Sequence, residues 1–215
     1  MGTDIHGVFQ RHDATTGMWQ DIPSNYEQDR HYQLFAVLAD VRNGTGFAGV
    51  KTGDAVTPIA EPRSYPEGFE VDDGDDYHPI AALEHMDPRR RKYHDESEKL
   101  VVWMGDHSHS WLAAEEMLAW FKSAPVVVKT GIVGREIYEQ WDRKGAPRSY
   151  CGGISGPGVV IVHDNEHERN AIPNWTHIRC EWDSPLRAEL AYFFDEVARL
   201  QAEHGQVRFV FGFDS

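Results

Sequence analysis

Apolar residues recur along this chain with two periods, and the switches between them mark out its elements. Ile5, Val8 and Phe9 lead into the turn-rich Asp13-Ala14-Thr15-Thr16-Gly17. Trp19 and Ile22 then resume the apolar pattern, so residues 4–22 read as a β-hairpin. Tyr32, Phe35, Val37, Leu38 and Val41 recur near helical spacing. They predict a helix over 29–42, capped by Asp29, stopped by Asn43-Gly44 and flanked by Arg30 and Arg42. Leu-Val-Val-Trp-Met at 100–104 reads as a strand. Residues 112–122 read as an amphipathic helix with Leu112, Met117, Leu118 and Phe121 on its apolar side. Ser110 is its expected cap, and Glu115 and Glu116 suit the positive end of its dipole. A shorter helix is expected over roughly 134–143, and a short buried strand over 159–162.

The last quarter carries the clearest pattern. Ile178, Cys180 and Trp182 alternate in a strand over 176–182. Ser184-Pro185 signals a helix start. Leu186, Leu190, Phe193, Phe194, Val197 and Leu200 form its buried stripe, and Gly205 ends it. Val207, Phe209, Phe211 and Phe213 alternate in a final strand. This strand–helix–strand order implies a right-handed crossover if the strands are parallel. By contrast, residues 43–99 are rich in Gly, Pro and Asp. They hold an acidic run, Asp72-Asp73-Gly74-Asp75-Asp76, and a basic run, Arg89-Arg90-Arg91-Lys92, as solvated loops do. The pattern predicts a single α+β domain over 1–215, with a mixed or antiparallel sheet, packed helices and a long irregular insertion at 43–99.

Composition narrows the function classes. With 35 acids against 21 bases the formal charge is −14, which disfavours general nucleic-acid binding and leaves small anions, mimicry of DNA or plain solubility. Two cysteines, Cys151 and Cys180, make neither a disulfide framework nor a thiolate zinc site. No stretch has the length of a membrane span. No basic region precedes an apolar one at the start, so a cytoplasmic location and no membrane partner are expected.

The chemistry-bearing residues concentrate in Gly105-Asp106-His107-Ser108-His109-Ser110-Trp111, between a strand and a helix. If the strand runs on, His107 and His109 share one face and Asp106 and Ser108 the other. Asp4 and His6 repeat the i, i+2 spacing in the first strand and complete a His/Asp cluster if the two strands are neighbours. Two imidazoles can share a phosphoryl oxygen; a metal would need a further ligand, and no cofactor is expected. Asp4-Ile5-His6-Gly7 resembles the first motif of calcineurin-like phosphoesterases, but the Gly-Asp-x-x-Asp and Gly-Asn-His motifs are missing, which rejects that assignment. Arg30 and Arg42 offer forked donors to phosphate, Asn43 follows, and Tyr32 and Trp111 offer rings for stacking. Gly152 and Gly153, in the Gly-rich loop after Cys151, can present backbone amides to an anion.

Three blocks also carry a resemblance. Met1-Gly2-Thr3-Asp4-Ile5-His6, the run from Tyr32 to Gly44, and Asp106-His107-Ser108-His109-Ser110-Trp111-Leu112 resemble a group of tailed-phage proteins, as do Pro58–Arg63 and the strand at 207–214. The resemblance implies a phage accessory protein in the cytoplasm of an infected bacterium and carries no activity to transfer. Small acidic phage proteins are often counter-defence factors, an argument from context alone.

The reading that follows is a counter-defence protein that sequesters, or cleaves, a small nucleotide-like immune signal in a polar His/Arg pocket. His107, His109, His6 and Asp4 are the catalytic candidates. Arg30, Tyr32, Arg42, Asn43, Asp106, Trp111, Gly152 and Gly153 are the ligand-binding ones. If it is an enzyme, the expectation is a phosphodiesterase-type hydrolase using histidine as acid or base. Two alternatives stand beside it: an acidic inhibitor that binds a host defence protein through residues 67–76, and a virion structural protein. A homo-oligomer is compatible with each.

Overall fold

The hairpin at the start of the chain forms as expected. β1 (Ile5–Asp13) and β2 (Met18–Ile22) pair antiparallel, with Phe9 opposite Ile22 and Asp13 opposite Met18. Asp13 holds the turn by accepting the Thr15 N–H at 2.8 Å. The computed structural model describes residues 2–28, 30–53, 55–72, 74, 76–80, 91–93 and 100–215, with backbone only for 47, 91–93 and 100. Their contacts divide the chain into two units, each assembled from segments far apart in sequence. The first comprises 1–31, 58–123 and 190–215, and the second 32–57 and 124–189. The α+β class predicted from the pattern holds: antiparallel pairs dominate the sheets, and helices pack on them.

In the first unit β10 (Val207–Phe213) lies between β1 and β6 (His107–Ala113), giving the order β2-β1-β10-β6. All seven residues of β10 are buried, so both of its faces are covered. One face, with Phe209, packs on α6 (Ala191–His204): the rings of Phe193 and Phe209 lie 5.6 Å apart. Phe121 of α2 (Ala114–Lys122) stacks on Phe194 at 4.5 Å. On the other face Val210 joins Val8, Ile80, Val102 and Met104, flanked by Tyr65, Phe69, Val71 and Trp111. Part of that cover is a small antiparallel sheet in the order β3-β5-β4, made of β3 (Tyr77–Pro79), β4 (Arg91–Tyr93) and β5 (Leu100–Trp103). Within the described part of the 43–99 segment, β3 and β4 are thus short elements set among loops. Asp73, Asp75, Arg89 and Arg90 lie outside the described residues.

A polar line crosses this second face. Arg208 donates twice to Gln10 Oε1, at 2.9 and 2.7 Å, and Gln10 donates to Asp21 at 2.8 Å. The other Asp21 oxygen lies 3.0 Å from His78 Nε2, and His78 Nδ1 lies 2.6 Å from the Glu70 carbonyl oxygen. Burial pulls the Arg208 guanidinium down to about 10, which still leaves it charged at neutral pH, and the Trp19 ring covers it at 4.1 Å.

Two boundaries near the histidine motif differ from the sequence reading. β6 runs on through the motif to Ala113, because β10 offers it a backbone partner as far as Arg208. Ser110 is thus a buried strand residue that accepts the Arg63 N–H at 3.1 Å, not a helix cap. Glu116 does the capping instead, reaching back to the Ala113 N–H at 3.0 Å.

In the second unit β7 (Val126–Gly134) pairs antiparallel with β9 (His177–Pro185), and β8 (Ile161–His163) lies parallel on the far side of β9. α3 (Arg135–Gln140), α4 (Glu166–Ala171) and α5 (Leu186–Glu189) follow their strands closely. The helix expected from 184 is two pieces, because the strand holds Ser184 and Pro185 and the chain breaks between α5 and α6 at Leu190. β9 and β10 belong to different sheets, so the strand–helix–strand run is no crossover within one sheet. Its apolar stripe is nevertheless as read, Leu186 to Leu200 being wholly buried. α1 (Tyr32–Ala39) is shorter than expected and ends where Asp40 turns to φ 61°. The proposed Asp29 cap lies outside the described residues. Among the described residues no helix is long and apolar enough to cross a membrane.

Glu196 of α6 ties the loop after β2 to that helix, accepting the Asn25 N–H at 2.7 Å and the fork of Arg199. Hydrogen bonding from Arg199 holds its carboxyl below the ordinary value, as Arg63 does for Glu116. A carboxyl held low in the fold favours the charged form. Its stabilisation is complete above the ordinary value of 4.5 and fades as pH falls through the lower folded value. Glu196→Gln should cost about 1–2 kcal/mol in urea melts at pH 7, and the gap from the parent should close in melts below pH 4 or so. A constant gap across that range would remove the charge from the account.

Candidate functional site

The end of β10 gathers the residues that the sequence singled out in the first unit. Pairing with β1 puts His6 opposite Gly212. His6 Nε2 donates to Asp214 Oδ2 at 3.2 Å, and Asp214 Oδ1 accepts the Asp4 N–H at 2.6 Å. The Asp214 N–H returns a bond to the Asp4 carbonyl at 3.1 Å. Arg30 forks onto the Asp4 carboxylate at 2.9 and 2.7 Å, with Gly2 beneath it where a Cβ would lie 2.2 Å from Nη1. The His6 ring rests against Trp103, 4.8 Å between centroids.

β6 brings the rest. Its register against β10 runs from Phe211↔Ser110 to Phe213↔His107, so three steps on β6 face two on β10. This bulge breaks the alternation that would put His107 and His109 on one face. His109 instead lies over Gly212, where a Cβ would come within 2.4 Å of its Cδ2, while His107 stacks beside Phe213 at 6.1 Å. His109 Nε2 donates to the Gly105 carbonyl at 3.2 Å, and Tyr65 stacks on it at 4.5 Å. The Tyr65 hydroxyl donates to Asp76 at 3.0 Å, and burial holds that hydroxyl far above the ordinary phenol range. His107 Nε2 donates to the Asp214 carbonyl at 3.3 Å, and its Nδ1 lies 3.0 Å from Ser108 Oγ. Asp106 keeps an exposed carboxylate 4.0 Å from His107 Nε2, and its N–H donates to the Phe213 carbonyl at 2.7 Å. Trp111 lies under the Arg63 guanidinium at 5.1 Å, and Arg63 is forked onto Glu116.

Asp4, His6, Arg30, Asp106, His107 and His109 thus cluster round one strand end. β1 and β6 are not neighbours; β10 lies between them, and Asp214 and Gly212 make the connection. The sequence reading missed Asp214, Tyr65, Asp76 and Trp103, because their proximity depends on strand order. A second signal is backbone strain. Among the described residues of the first unit, the non-glycine residues with positive φ are Ser64 (60°), Asp76 (54°) and Ser108 (52°). One adjoins Tyr65, one accepts from Tyr65, and one touches His107. Such strain concentrates where a site holds its residues in place.

Tyr32, Arg42, Asn43, Gly152 and Gly153 belong to the second unit. Arg42 (φ 55°) lies 5.7 Å over the Tyr32 ring, and both line a cavity with room for about one water, beside Gln33, Thr45 and Thr52. The Asn43 amide is engaged by Asp40 (2.6 Å) and by both polar groups of the Val56 backbone (2.7 and 3.0 Å), so it pins a loop. The Gly152 amide donates to the Ala48 carbonyl at 2.9 Å, and a Cβ there would lie 2.0 Å from Gly49. Its glycine serves backbone packing, which leaves Gly153 as the open position of the pair. Arg30 and Arg42 flank α1 in sequence, as the spacing predicts, but Arg30 belongs to the first unit and Arg42 to the second. Among the described residues, no three His, Cys, Asp or Glu side chains group so as to hold a metal ion.

Gly212→Ala tests the arrangement. The added methyl would meet the Met104 carbonyl at 2.2 Å as well as His109, and the backbone atom cannot yield as a side chain can. The variant should lose about 2–3 kcal/mol in denaturant melts and shift the His109 ring resonances; unchanged resonances would show that His109 does not lie over the strand.

Comparison with protein-family models, with curated proteins and with solved structures finds no match for this chain.

Proposed function

We propose that this protein binds a small nucleotide-like ligand at the end of β10 and that its histidines act there as hydrogen-bonding and acid–base groups. One observation carries the reading. Three imidazoles from two strands are each fixed through Nε2 on an acceptor of one small region: Asp214 Oδ2, the Asp214 carbonyl and the Gly105 carbonyl. Fixing one ring nitrogen sets the tautomer and aims the other. Trp103 and Tyr65 place aromatic faces against His6 and His109, and Arg30 closes the edge through Asp4. The carboxylates of Asp4, Asp76, Asp106 and Asp214 favour a ligand of low negative charge, such as a singly charged phosphodiester, over a triphosphate. With the resemblance of its sequence blocks to tailed-phage proteins, the reading becomes a counter-defence protein in the infected cell that captures or cleaves a nucleotide signal.

A second reading has its own support. The first unit carries 24 acids against 11 bases, net −13, whereas the second carries 11 against 10, net −1. Acidity confined to one unit suits docking on a basic host protein.

Incubation with cyclic mono- and dinucleotides and ADP-ribose derivatives, with chromatography before and after heating, tests the first reading. A nucleotide that disappears and returns intact on heating means capture, and new product peaks mean cleavage. The double variant His107→Gln, His109→Gln should abolish either. An unchanged panel, with function lost instead on neutralising the exposed Glu67 and Glu70, would transfer the assignment to the docking reading.

A further inference from the structure

We propose that Ser108 is a nucleophile, activated by His107, that attacks the phosphorus of a phosphodiester at this site; the inference rests on the ligand reading above and adds covalent chemistry to it. The Ser108 hydroxyl lies 3.0 Å from His107 Nδ1. The Asp214 carbonyl can only accept, so His107 Nε2 carries the proton of that 3.3 Å contact. Nδ1 is then left with its lone pair facing Ser108, the tautomer a general base requires. Asp106 Oδ1, 4.0 Å from the same Nε2, stabilises the imidazolium that forms when the base takes a proton. Nucleophile, base and orienting acceptor are therefore in line, and serine and imidazole are both partly open to solvent.

The backbone supports the assignment independently of these contacts. Ser108 sits at φ 52°, a conformation that glycine adopts without cost and serine rarely does, within the bulge of β6. Glycine would serve the fold better at this position. A hydroxyl retained there, against its conformational preference and aimed at an imidazole, points to chemistry rather than to stability.

The step balances without a co-reactant other than water. Ser108 Oγ forms a bond to phosphorus, its proton passes to His107 Nδ1, and the bond from phosphorus to the leaving oxygen breaks. His107 gives the proton to that oxygen. Water then attacks the phosphoserine diester with His107 again as base, and the Ser108 hydroxyl is restored. Asp214 is a positioning residue in this scheme, since it acts only through His6 and His107.

Two probes test it on the full chain: an alkyl fluorophosphonate, which marks an activated serine with loss of fluoride, and bis(4-nitrophenyl) phosphate, which releases nitrophenolate. We expect one adduct, mapped to Ser108 by peptide mass, and slow nitrophenolate release. Ser108→Gly should abolish both and raise the melting temperature by relieving the strained φ, which separates loss of the nucleophile from loss of the fold. His107→Gln should slow labelling by ~100-fold or more. No adduct on the parent protein, an adduct elsewhere, or labelling that survives Ser108→Gly overturns the proposal. An adduct at Ser108 without nitrophenolate release overturns the phosphodiester class. A nucleotide captured intact by a protein that takes no adduct overturns the nucleophile and leaves the ligand reading in place.

Discussion

Seven consecutive buried residues on β10 set the terms for the first unit. A strand with water on neither side must have backbone partners along both edges, because an unpaired buried N–H or C=O costs on the order of 1–3 kcal/mol. β1 supplies one edge from Ile5 to Arg11 and β6 the other from His107 to Ala113. Both faces must also be covered. The helices do this on the phenylalanine side, and Tyr65, Phe69, Val71, Ile80, Val102 and Met104 do it on the Val210 side. Removing a single fully buried phenylalanine from such a strand typically costs 3–5 kcal/mol, so the pairing that brings β1 and β6 together is strongly specified.

The candidate site is a by-product of that pairing. β1 and β6 reach the same end of β10 carrying histidines, and the packing there requires residues without side chains. Gly212 admits the His109 ring, and Gly105, at φ 82°, turns the chain where a Cβ would lie 2.4 Å from the Phe213 carbonyl oxygen. The bulge then rotates His107 out of the alternation and leaves Ser108 in a strained conformation. His107 and His109 each meet a main-chain carbonyl within the same few residues, and His6 meets the Asp214 carboxylate.

The second unit is built on other terms. Its sheet is a long antiparallel pair with one short parallel strand, and several of its ionic groups pair with one another. Lys129, almost fully buried, donates to both Glu189 oxygens, and Ser184 donates to the same carboxylate. Arg143 and Arg169 share Asp164 with the Tyr138 hydroxyl. Such networks give a fold its specificity more than its stability. By composition this unit is near electrical neutrality, while the first unit holds almost all of the excess negative charge.

Periodicity alone determined the hairpin, the strands at 100–104, 176–182 and 207–213, and the apolar stripe from Leu186 to Leu200, because each rests on local spacing that burial preserves. Composition determined the acidity, and residue type picked out Asp4, His6, Arg30, His107 and His109. Strand order was not legible, since nothing in a local pattern says that β10 separates β1 from β6. For the same reason Asp214, Tyr65, Asp76 and Trp103 could not be assigned to the site, and Arg42 and Asn43 could not be assigned to the second unit. The break at Leu190 and the extension of β6 through Ser110 were decided by partners distant in sequence, which overrode the helix signals at Ser184-Pro185 and Ser110. Local propensity is worth tenths of a kcal/mol per residue, and a strand pairing buried on both faces outweighs it.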